Sequence, residues 1–289
     1  MSVDAFPRSR LLALDTLWFQ VAGTVCNLQC THCFISCSPT NHAHEMMTLD
    51  EVRRYLAEAE ALGVKEYYFT GGEPFLNREI LEILAAALAL GPVSVLTNGV
   101  LIRPETAERL RALSDASPYS LDLRISLDGG DAAASDAIRG EGTFEKVRAG
   151  IRNLAAVGLN PVVTVTEACD GAGTPEGRAR LLAILRGIGL AQPRLKVMPL
   201  LRLGAETTRS RAYTEWESLA GRALTPDEAE ALQCSSCRMV TSKGVYVCPI
   251  LIDFPGARMA STLAEASDSF ALSHRACYTC HEQGLSCRT

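Results

Sequence analysis

The chain lacks the features that mark secreted, membrane-spanning and nucleic-acid-binding proteins. Residues 1–10 are polar and contain no apolar segment of the kind found in a signal peptide. The Ala/Leu-rich run 80–90 contains Glu82 and is too short to cross a bilayer. The formal net charge is −5, which leaves no basic surface for a nucleic acid. We therefore expect a cytoplasmic protein with no membrane and no nucleic-acid partner.

Aromatic residues are scarce, at 6%, whereas cysteines number eleven. Without a secretion signal, so many cysteines indicate a reducing compartment. Closely spaced cysteines there bind metals or carry out redox chemistry rather than form disulfides. The 289 residues, of which 47% are hydrophobic, are enough for one large domain and a small one.

Three cysteines near the start of the chain, Cys26, Cys30 and Cys33, have C-x3-C-x2-C spacing. This spacing places three thiolates on one short loop. A cubane iron–sulfur cluster held by three thiolates keeps one iron open, and an open metal position is typical of a reactive site. The alternative is a zinc knuckle, whose fourth ligand would be Cys37, His32, His42 or His44. The spacing alone leaves both interpretations open.

A second landmark is the segment 67–74, which reads YYFTGGEP. Gly71 and Gly72 have no Cβ atom, so the backbone there can approach a ligand closely. The carboxylate of Glu73, which precedes Pro74, can accept hydrogen bonds from an ammonium group. A lone GGEP is a weak signal, and its position after a cysteine triplet strengthens it.

Three later segments carry polar residues where a strand or helix ends. They are 95–99 (VLTNG), 124–129 (RISLDG) and 138–144 (IRGEGTF). Each is also ordinary turn chemistry when taken alone. The candidate ligand-contacting residues in these segments are Asn98, Ser126, Asp128 and Arg139.

Together these motifs resemble the radical S-adenosylmethionine (SAM) superfamily, whose signature is C-x3-C-x-φ-C with φ usually aromatic. His32 stands at φ, and GGEP, TNG and SLDG follow in the order of that family. The resemblance covers residues 15–200 and implies a [4Fe–4S] cluster on the three cysteines with SAM at its open iron. Cys37 is then a neighbour of the cluster and not a ligand, because a fourth thiolate would close that iron.

The resemblance also implies the roles of the remaining motif residues. The GGEP segment, Gly71 to Pro74, would meet the amino group of the SAM methionine. Ser126 and Asp128 would lie near the SAM ribose and carboxylate, and Arg139 would pair with that carboxylate. Asn98 belongs to the same set of cofactor-binding residues.

Apolar β-rich runs alternate with helical patterns through most of the chain. Strands are predicted at 17–22, 66–70, 93–97, 121–127, 161–166 and 195–200. Helices are predicted from a capping box at Thr48, from a cap at Asn77, from Pro104, from Thr143 and from Pro175. Strands joined by crossover helices form a parallel sheet.

An open doubly wound sheet and a barrel both fit this alternation, and the resemblance selects a partial (β/α)6 TIM-like barrel. Sites in such barrels lie at the carboxyl ends of the strands. Cys26, Gly72, Asn98, Asp128 and Glu167 all follow predicted strands. The predicted division is an N-terminal arm at 1–15, the barrel at 16–203 and a small cysteine-rich extension at 204–289.

Six of the eleven cysteines lie in this extension: Cys234, Cys237, Cys248, Cys277, Cys280 and Cys287. With Gly244 they resemble the auxiliary-cluster extension called SPASM, or its shortened twitch form, although one residue is missing between Gly244 and Cys248. The resemblance implies one auxiliary [4Fe–4S] cluster.

The ligand set of this auxiliary site is open. Cys234, Cys237 and Cys248 could share a cluster with one of the later cysteines. Alternatively, Cys234 or Cys237 joins Cys248 and the C-x2-C pair formed by Cys277 and Cys280. A structural zinc ribbon also fits two C-x2-C pairs.

The activity implied by the resemblance is reductive cleavage of SAM to methionine and a 5′-deoxyadenosyl radical, which abstracts a hydrogen atom from the substrate. A low-potential donor such as flavodoxin or ferredoxin would supply the electron, and the auxiliary cluster would accept one from the substrate radical. Cys169, after the fifth predicted strand, is a candidate catalytic hydrogen donor of the kind used by radical epimerases. The alternative for Cys169 is a small buried hydrophobic residue.

The substrate is predicted to be a peptide or protein side chain, which the enzyme modifies oxidatively. The alternative is a dehydrogenase or epimerase of a small natural-product sugar or aminocyclitol. Peptide maturases often carry a recognition domain before the barrel, and the segment 1–15 is too short for one. An iron–sulfur electron carrier would explain the cysteines and leave the GGEP, TNG and SLDG motifs without a purpose.

Overall fold

The structure is a computed structural model and describes residues 3–169 and 171–284. The helices in this part are α1 Leu49–Ala61, α2 Ile80–Leu88, α3 Pro104–Ala116, α4 Ala132–Arg139, α5 Thr143–Ala156, α6 Pro175–Ile188, α7 Pro226–Ala231 and α8 Arg275–Gln283. The strands are β1 Arg8–Ser9, β2 Thr16–Gln20, β3 Glu66–Thr70, β4 Val93–Thr97, β5 Leu121–Ser126, β6 Val162–Thr166, β7 Arg194–Met198, β8 Cys237–Thr241, β9 Gly244–Tyr246, β10 Arg258–Ala260 and β11 Phe270–Ala271.

Strands β2 to β7 lie side by side in chain order, and each pairs in parallel with the next. Helix α1 connects β2 to β3, α2 and α3 make the next two crossovers, α4 and α5 together link β5 to β6, and α6 leads to β7. In the described part of the chain the sheet has two edges, β7 and β10, so it stays open. The predicted partial (β/α)6 barrel is confirmed.

The two faces of the sheet carry separate apolar cores, because side chains alternate along each strand. On β2, Leu17 and Phe19 pack with the helices in one core. Trp18 points to the other face and stacks on Tyr68 of β3, with ring centroids 4.4 Å apart. The second core is shared with residues of the C-terminal segment such as Met239. The inner face of the partial barrel is therefore closed by the cysteine-rich part of the chain.

The helix predictions are confirmed with two exceptions. The capping box at Thr48 forms as expected, and α3, α5 and α6 begin at Pro104, Thr143 and Pro175. The N-cap of α2 is Glu79 and not Asn77, although Asn77 Oδ1 accepts a hydrogen bond from the Glu79 backbone amide at 2.9 Å. The Asn77 amide instead donates to the carbonyl oxygens of Val21 and Met47 and ties the loop after β2 to the barrel. Tertiary contacts thus outweigh the local capping preference.

The second exception is α4, which was not predicted. Asp131 caps it by accepting a hydrogen bond from the amide of Ala134 at 2.9 Å. The helix has only eight residues and ends at Gly140, so its apolar pattern is too short to stand out in the sequence. It matters for the site because its last residue is Arg139.

The C-terminal cysteine-rich segment extends the same sheet. Strand β8 pairs in parallel with β2, while β9 and β10 continue antiparallel. Strand β1 of the predicted N-terminal arm pairs with β11 in a separate two-stranded sheet. The boundaries at 15 and 203 stay predictions, since strands of the extension pair with strands of both the arm and the barrel. None of the described helices has the length and apolar character that a membrane crossing requires.

Candidate active site

A cavity of about 280 Å³ opens at the carboxyl ends of the parallel strands. The cysteine loop that follows β2 forms one wall, with Cys26 buried and Cys30 and Cys33 partly buried. Of the predicted cofactor-binding residues, Gly71, Gly72, Asn98, Ser126 and Arg139 also line it. The structure therefore brings together the triplet and most of the motif residues.

The three sulfur atoms of the triplet have different surroundings. The amide of Leu28 donates to Cys26 Sγ at 3.4 Å, and the amide of Cys37 donates to Cys33 Sγ at 3.3 Å. Burial raises the pKa of Cys26 to about 12. Burial also raises the pKa of Cys30, and the nearby positive charge of Arg139 opposes that rise. A hydrogen bond with the Cys37 thiol lowers the pKa of Cys33 to about 6. Cys37 thus supports a sulfur of the triplet.

Gly72 is required by the close approach of two backbone segments. A Cβ atom at Gly72 would lie 1.9 Å from the carbonyl oxygen of Val25, in the cysteine loop. The amide of Gly72 donates to Gly23, and the amide of Glu73 donates to Val25. The GGEP segment therefore holds the cysteine loop in place as well as facing the cavity. Close approach to a ligand is the predicted reason for glycine at this position, and contact with the cysteine loop is a second reason.

Glu73 is fully buried and does not line the cavity. Its carboxylate accepts hydrogen bonds from the Thr97 hydroxyl at 2.7 Å, the Asn98 amide at 2.8 Å and the Phe75 amide at 3.1 Å. Burial raises the pKa of Glu73, and these donors oppose that rise. In this structure Glu73 fixes the TNG turn against the GGEP turn. Pro74 is buried beside it and is also absent from the cavity lining. Direct contact of either residue with SAM stays a prediction.

Asp128 joins three separate elements beneath the cavity. Its carboxylate pairs with Arg139 at the end of α4 and lies 2.7 Å from Nε2 of His32 in the cysteine loop. It also accepts two hydrogen bonds from Thr166 at the end of β6, each 2.8 Å long. Burial raises the pKa of Asp128, but Arg139, His32 and Thr166 outweigh it and hold the pKa well below its usual range. Asp128 is fully buried and absent from the cavity lining, so it positions Arg139, which does line it.

Asn98 and Ser126 lie where the sequence placed them, at the ends of β4 and β5 on the cavity wall. The Asn98 amide nitrogen is 2.8 Å from Oδ1 of Asn27 and 3.7 Å from Cys26 Sγ. Asn98 therefore links the TNG turn to the first cysteine of the triplet.

Cys169 does not lie on the cavity. It is 6% exposed and packs in the core between the sheet and the helices. A hydrogen donor must reach the substrate radical, and this position gives it no such access. The structure thus favours the alternative interpretation of Cys169, a small buried hydrophobic residue.

A second, narrower cavity lies in the C-terminal segment. Four cysteines line it: Cys234, Cys248, Cys277 and Cys280. Burial raises the pKa of Cys248 to about 12 and also raises the pKa values of Cys234 and Cys277. Cys237 lies on β8 and is absent from the lining, and Cys287 lies outside the described residues. The sequence leaves two ligand sets open. The cysteines that line this cavity are those of the second set, in which Cys234 and Cys248 join the C-x2-C pair.

The two cavities share a wall. Gln233 and Ile250 are the residues that line both. Gln233 is 9% exposed, and among the described residues its Nε2 has no hydrogen-bond partner. Neither residue carries a signal in the sequence, because only the fold brings the turn before β8 and the segment after β9 against the barrel opening.

Cysteine side chains are grouped on the walls of both cavities. In the described part of the chain, no three His, Cys, Asp or Glu side chains stand in an arrangement that could hold one metal ion. Thiols around a cavity suit a larger group, and clusters are held by cysteine thiolates. The chemistry of the triplet therefore agrees with a [4Fe–4S] cluster, for which Cys26, Cys30 and Cys33 are the predicted ligands.

Comparison with known families agrees with this site. Residues 21–185 match the profile of the Radical SAM superfamily, and the chain belongs to that superfamily. Membership implies a [4Fe–4S] cluster and SAM as cofactors.

Two curated relatives illustrate the range of the superfamily. The mycofactocin maturase MftC of Mycobacterium tuberculosis is 39% identical over 136 residues, 46% of this chain and 33% of that protein. The AdoMet-dependent heme synthase of Nitratidesulfovibrio vulgaris is 35% identical over 169 residues, 58% of this chain and 43% of that protein. The chain thus spans less than half the length of either relative.

Solved structures share the fold. Streptococcus suis SuiB bound to S-adenosylmethionine superposes with a TM-score of 0.63 and 15% identity, over 84% of this chain and 62% of that one. The anSMEcpe structure with bound AdoMet and Cp18Cys peptide superposes with a TM-score of 0.61 and 17% identity, over 87% of this chain and 79% of that one. At such identities the likeness concerns the fold alone.

The first prediction concerns Asp128. In Asp128→Asn the buried Arg139 charge loses its partner, and we expect a loss of about 3–5 kcal/mol in the free energy of unfolding at pH 7. Urea unfolding of the metal-free protein measures it. Because the folded-state pKa is lowered, the contribution of Asp128 is complete above its unfolded pKa, about 3.9, and fades as the pH falls below it. The difference between the two proteins should therefore shrink in acid.

The control for this variant is Asp115→Asn, which breaks the exposed pair of Asp115 with Arg111. Exposed pairs of this kind contribute little to the free energy of unfolding, because solvent screens them. Equal losses in the two variants would contradict the role assigned to Asp128.

A second prediction concerns Gly72. In Gly72→Ala the new Cβ meets the Val25 carbonyl, so the cysteine loop must move. We expect iron bound at the triplet to fall severalfold after anaerobic reconstitution, measured in a background where Cys248→Ser disables the second site. Gly187→Ala is the control, since it lies in α6 with open space around its Cβ position. Normal iron content in Gly72→Ala would argue against the backbone role of this glycine.

Proposed function

We propose that this chain is a radical SAM enzyme that oxidatively modifies a peptide or protein side chain, with an auxiliary [4Fe–4S] cluster as electron acceptor. The observation that carries the proposal is the wall of Gln233 and Ile250 shared by the two cysteine-lined cavities. A substrate in the larger cavity would lie between the group that generates the radical and a second group able to take up an electron.

The peptide substrate is supported by the relatives. One curated relative is named a maturase, and a structure with the same fold contains a bound peptide. Other relatives are a heme synthase and a GTP 3',8-cyclase, so family membership alone leaves the substrate undecided. The buried position of Cys169 speaks against radical epimerisation with this thiol as hydrogen donor.

When bound, the cluster and SAM supply reductive cleavage of SAM and a 5′-deoxyadenosyl radical that abstracts a hydrogen atom. The chain's own residues would bind SAM and orient it. Arg139 presents a guanidinium to the cavity and suits the SAM carboxylate. Asp128 holds that arginine in place, and the Gly71–Gly72 backbone and Ser126 line the space beside it. Apolar residues such as Leu28, Phe34 and Leu201 close much of the remaining wall and would exclude water.

The electron would come from a low-potential donor such as flavodoxin or ferredoxin. After hydrogen abstraction the substrate radical must lose an electron if the product is oxidised. The four cysteines around the second cavity would hold the acceptor at the far side of the shared wall.

Cleavage of SAM by the reduced, reconstituted protein, measured as 5′-deoxyadenosine, separates this enzyme from a mere electron carrier. A carrier would produce none.

The auxiliary site is tested by measuring the metal content of variants. In the triple variant Cys26→Ala, Cys30→Ala, Cys33→Ala, we expect about four irons per chain after anaerobic reconstitution, the content of one cubane cluster. Adding Cys248→Ser should remove that iron. Adding Cys237→Ser should leave it, because Cys237 is absent from the second cavity.

The outcomes against the proposal are equally specific. Zinc alone in the triple variant would make the C-terminal site structural, and no metal would leave the enzyme without a built-in acceptor. Loss of iron on Cys237→Ser with retention on Cys248→Ser would overturn the ligand set.

A further inference from the structure

Arg238 is a buried cation in the cysteine-rich segment. It lies on β8, is 1% exposed and is the largest of the fully buried side chains. Its Nε donates to the carbonyl oxygen of Ala266 at 2.7 Å. Its Nη1 donates to the carbonyl oxygens of Cys234 and Cys237 at 2.9 and 2.7 Å. The guanidinium is thus fixed on the backbone next to one of the cysteines of the second cavity.

No carboxylate within the described residues forms an ion pair with Arg238. This is unusual, because a buried charge without a countercharge costs several kcal/mol by order of magnitude. The three backbone carbonyls that accept from Nε and Nη1 are neutral and leave the charge of Arg238 uncompensated. The other buried arginine of the sites, Arg139, has the carboxylate of Asp128 as its partner.

The groups that act on Arg238 are cysteines. Burial lowers the pKa of Arg238, and Cys237, Cys234 and Cys248 oppose that effect. In return, the Arg238 charge opposes the rise that burial causes in the pKa of Cys234. A permanent positive charge therefore lies just outside the lining of the second cavity, hydrogen-bonded to the backbone of Cys234, where deprotonated sulfur atoms would supply the missing negative charge.

We propose that Arg238 is the countercharge of the auxiliary cluster and makes it a better electron acceptor. This inference rests on the proposed function, since it requires a cluster on Cys234, Cys248, Cys277 and Cys280. A fixed cation stabilises the more negative of two redox states, because the added electron increases the attraction. The reduction potential of a cluster depends on such local charge and on burial.

The test is the midpoint potential of the auxiliary cluster, measured by EPR-monitored titration in the Cys26→Ala, Cys30→Ala, Cys33→Ala background. The decisive variant is Arg238→citrulline, introduced by nonsense suppression. Citrulline keeps the N–H groups that bond to the three carbonyls and removes the charge. We expect a midpoint clearly more negative than that of the parent. Arg238→Lys keeps a charge and should stay closer to the parent than the citrulline variant.

A matched control is Arg124→citrulline. Arg124 is also buried, at 4% exposure, but it lies on β5, where its Nη2 donates to the Tyr68 hydroxyl and not to a carbonyl of the cysteine-rich segment. Its neutralisation should leave the auxiliary midpoint unchanged. A shift of the same size in this control would mean that any buried charge changes the midpoint, and it would overturn the assignment to Arg238.

The remaining outcomes are also decisive. An unchanged midpoint in Arg238→citrulline overturns the inference. Loss of iron from a variant whose metal-free circular dichroism matches the parent supports it, because the anionic group is then no longer held. Loss of the metal-free fold overturns it, since the hydrogen bonds are kept and the charge would serve the fold itself. If the parent triple variant holds no iron, the proposed auxiliary function fails, which is distinct from failure of the Arg238 inference.

Discussion

The buried carboxylate of Asp128 is the interaction on which the arrangement of the active site depends. It ends β5 and connects to the cysteine loop through His32, to α4 through Arg139 and to β6 through Thr166. Loops at the mouth of a partial barrel have few packing partners of their own. A single ionised group with four polar contacts fixes their relative positions, and it persists because its charge is paired and hydrogen-bonded.

Much of this architecture could be predicted from the sequence, because the informative signals are local. The capping box at Thr48, the prolines at 104 and 175 and the β-rich runs each specify an element from its own residues. The cysteine triplet and the turns after the strands likewise identify one edge of the sheet. Parallel topology then brings those turns together, so the site follows once the elements are assigned.

What could not be predicted depends on contacts between distant parts of the chain. The contacts of Asp128 and Glu73 with the cofactor stay predictions, and the structure adds the protein donors that surround each carboxylate, for which the sequence carries no local signal. Nothing local distinguishes Cys237 from Cys234, since both belong to one C-x2-C pair. Only the pairing of β8 with β2 turns the two side chains to different surroundings.

Arg139 and Arg238, the buried arginines next to the cysteine sites, give those two sites different electrostatic characters. At the triplet, the charge of Arg139 is largely cancelled by Asp128, whereas in the described residues Arg238 has no carboxylate partner. A cluster beside a neutralised cation keeps a lower potential than one beside a free cation, other factors being equal. In the proposed function the first site must deliver an electron to SAM and the second must take one from the substrate. The placement of charge therefore favours electron flow in that direction, and at the second site it does so through Arg238, which lines neither cavity.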